Sequence, residues 1–205
     1  MRPATPERVF LEGAAGRIEA AVQRPAGEIR GLALVAHPHP LYGGTMDNKV
    51  VQTLARAFVA MGCVTWRMNF RGVGDSDGVF DDGNGEVEDF LRLAAHARGD
   101  QPDGPLTIGG FSFGGYVAAT ASATLAPERL VLVAPAVGRF PVGTVPEHTQ
   151  VIHGEEDDVV ALSEVLAWAR PQKLPITVVP GAGHFFHGDL IRLQQLVTQH
   201  CDCTA

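Results

Sequence analysis

The chain has 205 residues, 45% of them hydrophobic and 19% charged; this is the balance of an ordinary soluble globular protein, long enough for one well-filled core and read as one domain over residues 1–205. A formal net charge of −7, with 16 lysines and arginines scattered along the chain, leaves no basic patch for nucleic acid or an anionic membrane surface. The first residues have no apolar signal-like core and no apolar run approaches the ~18 residues of a membrane span, so a cytoplasmic protein is expected. Of three cysteines, Cys63 lies in an apolar segment and reads as core, while Cys201 and Cys203 read as a frayed tail; they make no disulfide framework.

Residues 9–12 and 17–23 alternate apolar and polar across Gly13-Ala14-Ala15-Gly16, which predicts an antiparallel hairpin at a sheet edge. Gly31–Ala36 is a short continuous apolar run, the pattern of a strand buried on both faces. From there strand and helix alternate. Val50, Leu54, Phe58 and Met61 recur at helical spacing before Gly62, residues 63–70 read as a strand, and Val87, Phe90, Leu91, Ala94 and Ala97 predict a helix over residues 85–98. Strands follow at residues 106–110, 130–134, 150–153 and 176–179. An alanine-rich helix after Ser112, without a charge until Glu128, reads as covered on most sides. A short helix covers residues 162–169, and Phe186, Leu190, Leu193 and Val197 form the stripe of a closing one. The alternation specifies an α/β domain with a mostly parallel, twisted sheet and helices on both faces, its ligand site at the carboxyl ends of the strands. One connection, residues 136–148, is long and rich in glycine and proline, yet too short for a lid domain.

The frame Gly110-x-Ser112-x-Gly114 falls where a strand passes sharply into a helix, and this geometry exposes a serine above a sheet beside the free N–H groups of a helix N-terminus. A second match, Gly74-Asp75-Ser76-Asp77-Gly78, lacks that context: two aspartates flank the serine and a loop follows it. Ser112 is therefore the candidate nucleophile. A serine hydroxyl needs a base to take its proton and a third group to orient the base. His184 follows the last strand within Gly181-Ala182-Gly183-His184-Phe185-Phe186, with His187 as its rival. The preceding strand runs into an acidic cluster, Glu155-Glu156-Asp157-Asp158, in which Asp157 is one of four carboxylates. His37, His39 and His153 lack the spacing of a metal site.

These stretches together resemble the α/β-hydrolase superfamily: the nucleophile turn at Ser112, the acid loop around Asp157, the histidine loop at His184, and the loop Asn69-Phe70-Arg71-Gly72-Val73-Gly74. The motif His37-Pro38-His39-Pro40-Leu41-Tyr42-Gly43-Gly44, with no lid, is similar to the compact bacterial branch near dienelactone hydrolases and small carboxylesterases, here with serine in place of cysteine. The resemblance implies a Ser112, His184, Asp157 triad, its register selecting Asp157 from the cluster. It also implies a carboxylesterase-like activity on small soluble esters or thioesters through an acyl-enzyme, with no cofactor and no metal. A peptidase of the same fold and a non-catalytic binding member are the alternatives. Phe113 N–H is the expected first oxyanion donor. Pro38 and Pro40 cannot donate, so the second is His39, Leu41 or Tyr42, with Leu41 favoured. Tyr42, Phe111 and Phe185 are candidate pocket residues, Asn69 and Arg71 are expected to bond the loop backbone, and the sequence leaves a homodimer open.

Overall fold

In the computed structural model, described for residues 5–101 and 103–199, the predicted elements join one eight-stranded sheet. Cys201 and Cys203 lie outside the described residues. The hairpin forms from β1 (Glu7–Gly13) and β2 (Gly16–Gln23), paired antiparallel. There follow β3 (Gly31–Ala36), α1 (Lys49–Ala60), β4 (Cys63–Met68), α2 (Asn84–Asp100), β5 (Leu106–Phe111), α3 (Phe113–Leu125), β6 (Arg129–Val133), β7 (Gln150–Gly154), α4 (Leu162–Ala169), β8 (Ile176–Val179) and α5 (Leu190–Gln199).

The order across the sheet is β1-β2-β4-β3-β5-β6-β7-β8. All pairs from β4 to β8 are parallel. The chain steps one way from β3 to β4 and the other way from β5 to β8, so the loops after β3 and β5 diverge and open a crevice at their carboxyl ends. Every residue of β3, β4 and β5 is buried, which explains their unbroken apolar or small-residue runs. Leu32, Leu34 and Ala36 face a core shared with α2, α3 and α4, while Ala33 and Val35 face a second core shared with α1 and α5. The helix after Ser112 is buried along most of its length, as its lack of charge predicts. β8, at the sheet edge, is only partly covered.

Three local departures from the sequence reading arise from hydrogen bonds at the loops. β4 ends at Met68 rather than Phe70, because Asn69 and Phe70 turn away to brace neighbouring segments. Asn69 Oδ1 accepts from Met46 N–H at 2.9 Å and its amide donates to Glu19 at 2.6 Å. Arg71, expected to bond backbone, instead pairs with the buried Asp89 carboxylate at 2.9 Å. Phe186 is not on the last helix: it lies fully buried in the turn ahead of it at φ 51°. The Ser76 hydroxyl accepts from Glu19 N–H at 2.9 Å and donates to Asn69 O at 2.8 Å, so the second serine frame is a loop staple.

His37, fully buried, joins the loops after β3 and β4. Its Nδ1–H donates to Pro38 O at 2.6 Å and its Nε2 accepts from Phe70 N–H at 2.9 Å, which both nitrogens do only in the neutral ring. Burial pushes the imidazole down to about 3. Because the folded value is depressed below the ordinary 6.5, the unfolded chain takes up the proton first. The contribution is complete above about pH 6.5 and is lost as pH falls toward about 3, by at most roughly 5 kcal/mol. Urea unfolding of wild type should therefore lose stability between about pH 7 and about pH 4.5, and His37→Gln should remove about 2–3 kcal/mol of that loss. Parallel losses in both proteins would contradict the assignment.

Candidate active site

The turn between β5 and α3 is built by crowding. A methyl group on Gly110 would strike the Gly114 carbonyl, and one on Gly114 would strike the carbonyls of Ala36 and His37 at the end of β3. Only glycine fits at either position. Between them Ser112 adopts φ 56° and ψ −119°, a conformation costing a residue with a Cβ on the order of 1–3 kcal/mol. Hydrogen bonds from Ser112 N–H to Val133 O at 3.0 Å, and from Gly115 N–H to Ser112 O at 2.9 Å, hold it there.

His184 reaches this serine from the turn after β8. Its Nε2 lies 3.1 Å from Ser112 Oγ and its Nδ1 2.7 Å from Asp157 Oδ2. The carboxylate accepts from Nδ1–H, which leaves the Nε2 lone pair facing the serine hydroxyl. The imidazole is 3% exposed and packs against Phe111 and Phe185, ring centroids 4.9 and 5.0 Å away. Asp157 Oδ1 accepts from the N–H groups of Val159 and Val160 at 2.9 and 2.7 Å. Burial would push this carboxyl up, but the His184 hydrogen bond, the two N–H bonds and the nearby imidazole hold it below its usual range. Asp157 thus separates from Asp158, Glu155 and Glu156 by having both oxygens engaged. His187, the rival histidine, is exposed and stacks on Phe185.

Sequence reasoning weighed His153 only as a metal ligand; the structure gives it another task. Fully buried on β7, it donates Nε2–H to Val160 O at 2.9 Å, with Asp157 Oδ2 at 3.5 Å. Burial, opposed by the Asp157 charge, pushes the ring down, so it braces the acid loop as a neutral group. The three histidines first weighed as metal ligands serve separate contacts, and no cluster of three metal-ligating side chains occurs among the described residues.

A cavity of about 290 Å³ opens over Ser112 and His184. Of the candidate pocket residues, Tyr42 and Phe185 line it, while Phe111 is buried in the core against His184. Phe113 and Phe140 supply the aromatic wall instead. The His39 ring sits among Tyr42, Phe80, Phe113 and Phe140, centroids 4.7 to 5.8 Å apart. Burial, followed by the Arg139 charge, pushes it down.

The loop after β3 departs from expectation at Leu41. Its N–H donates to His39 Nδ1 at 3.2 Å, and its side chain is 69% exposed. Tyr42 and Gly44 N–H bond His39 O, and Gly43 N–H bonds Pro40 O. Those bonds form a tight local turn and leave His39 N–H without an acceptor among the described residues, like Phe113 N–H at the first position of α3. Gly114→Ala should displace this turn, lowering stability by about 2 kcal/mol or more in urea unfolding. A wild-type stability would contradict the close approach.

The comparisons with known proteins bear on this architecture directly. Residues 33–146 match the family described as serine aminopeptidase. An uncharacterized protein of Rickettsia prowazekii is 31% identical over 87% of this chain and 82% of its own length. A lidless α/β serine hydrolase of Xanthomonas campestris superposes with a TM-score of 0.91 at 35% identity, covering 98% of this chain and 96% of the other. An α/β serine hydrolase homologue from Coxiella burnetii superposes with a TM-score of 0.89, also at 35% identity, over 97% of this chain and 99% of its own. By family match, by sequence and by fold, the chain belongs to the serine hydrolases of the α/β-hydrolase superfamily.

Proposed function

We propose that this protein hydrolyses small carboxylic esters or thioesters through an acyl-enzyme on Ser112. The observation that carries the reading is the hydrogen-bonded series Ser112 Oγ, His184 Nε2, His184 Nδ1, Asp157 Oδ2, at 3.1 and 2.7 Å. Ser112 Oγ attacks the carbonyl carbon while its proton passes to His184 Nε2. Asp157 fixes the tautomer and stabilises the imidazolium. His184 then gives the proton to the departing alcohol or thiol. Water, deprotonated by the same imidazole, releases the acid and restores the serine. No cofactor enters these steps. Among the described residues no separate domain covers the cavity, which suits short-acyl substrates free in water, the setting in which a cytoplasmic enzyme would meet them. Among the described residues no helix is long and apolar enough to cross a membrane. The steps require neither nucleic acid nor a second copy of the chain.

The oxyanion would lie between Phe113 N–H and His39 N–H, in place of Leu41. Both are backbone groups without protein acceptors beside Ser112, and donors fixed before reaction lower the barrier most. The family description raises aminopeptidase activity as a second reading. That chemistry needs an anion for the substrate's ammonium group, and the residues lining the cavity include Arg139 but no carboxylate, which favours esters over aminoacyl substrates.

Steady-state assays with 4-nitrophenyl acetate, 4-nitrophenyl butyrate and an aminoacyl 4-nitroanilide test the reading. Turnover of the esters, lost on the order of 10⁴-fold or more in Ser112→Ala and about 10⁴-fold in kcat in Asp157→Asn, is expected. Faster anilide cleavage would move the assignment to a peptidase. The backbone at His39, φ −54° and ψ 125°, already suits proline, so His39→Pro removes the N–H with little strain while His39→Ala keeps it. The proline variant should lose kcat about 10²–10³-fold relative to the alanine variant; equal rates would place the second donor elsewhere.

A further inference from the structure

One charge at the cavity is unused by the steps above. Arg139, on the connection between β6 and β7, lines the same space as Ser112 and His184. Its recorded hydrogen bond, to Val159 O, is 3.5 Å long, too long to hold a guanidinium in place. Among the described residues no carboxylate lies within ion-pair distance of it. Glu164, on α4, packs against Gly138 and does not pair with Arg139.

The position of Arg139 is nevertheless set. Phe140, next in sequence, is anchored in the aromatic cluster, its ring 4.8 Å from Phe113 and 5.2 Å from Tyr116. Two further backbone bonds, Arg139 N–H to Ala136 O at 3.2 Å and Phe140 N–H to the same oxygen at 3.0 Å, tie the turn to the end of β6. An exposed guanidinium with no carboxylate partner among the described residues is thus carried at the rim of a cavity whose walls are Tyr42, Phe113, Phe140, Val160 and Phe185. A guanidinium recognises a carboxylate through paired N–H donors, and those walls fit an apolar or aromatic body.

Resting on the ester-hydrolase reading, we propose that the substrates carry a carboxylate as well as the scissile bond, an apolar body filling the cavity and the carboxylate meeting Arg139. The carboxylate belongs either to the acyl part, as in a dicarboxylic hemiester, or to the leaving group. A cationic substrate would meet a like charge at the rim with no carboxylate on the lining to offset it.

The test compares wild type and Arg139→Gln on three esters: the 4-nitrophenyl monoester of glutaric acid, 3-butyryloxy-4-nitrobenzoate, and neutral 4-nitrophenyl pentanoate. For at least one anionic ester, kcat/KM should fall about tenfold further than for the neutral ester. Which ester responds tells the two carboxylate positions apart. Equal effects on all three, or none, would overturn the proposal while leaving the hydrolase reading intact. If no ester is turned over at all, that reading fails, and calorimetric titration with 3-phenylpropionate and 3-phenylpropanamide still decides this one. Carboxylate binding lost selectively in Arg139→Gln supports the site; equal binding to both proteins overturns it.

Discussion

The crowding of backbone at the β5–α3 turn is the constraint on which the site depends. Because Gly114 has no Cβ, the start of α3 lies close against the carbonyls of Ala36 and His37, beside the paired ends of β3 and β5. The loop after β3 is therefore brought beside Ser112 by the same contact that exposes the serine. His37 then clamps that loop to the one after β4, and the local turn at residues 39–44 uses the N–H groups of Leu41, Tyr42, Gly43 and Gly44 but not that of His39. The topological switch between β3 and β5 supplies the opening; the glycine contacts supply its dimensions.

Around that turn the titratable groups are held in single states. His37 and His153 are buried and neutral, each donating one N–H to a carbonyl. Asp157 is kept ionised by hydrogen bonds that outweigh its burial. Asp157 is thus a fixed buried negative charge whose principal partner is His184 Nδ1–H. Such a fixed charge is in place before reaction and needs no rearrangement when positive charge develops beside it. The remaining fixed charge on the cavity is Arg139, at its rim, where it bears on what is recognised rather than on the proton transfer.

Much of this was legible in the sequence because it is local. The apolar runs of β3, β5 and β6, the helical stripe of α1 and the frame around Ser112 each follow from spacing within one segment. The acid loop was less legible. Four carboxylates stand together, and only the turn closed by Val159 and Val160 N–H distinguishes Asp157. The pocket was least legible, since its walls come from separate loops. Phe111 and Phe113 differ by two residues, yet Phe111 is the last residue of a strand and faces the α1/α5 core, while Phe113 opens a helix on the other side. Phe140 and Arg139 come from a connection with no periodicity to read, and no spacing in the sequence shows that the His39 side chain takes the Leu41 N–H. Phe186 fits the stripe of α5 in spacing, but it stands in the turn ahead of that helix with its own backbone left-handed and its ring in the core.

The central claim is that Ser112 is made nucleophilic by its contact with His184. Intact-mass analysis after exposure to a fluorophosphonate tests it most directly, on wild type, Ser112→Ala and His184→Ala, each first shown folded by circular dichroism. The account predicts one covalent adduct per wild-type chain, none on Ser112→Ala, and labelling slowed by about 10³-fold or more on His184→Ala. An adduct that persists in Ser112→Ala, or no adduct on folded wild type, would contradict it.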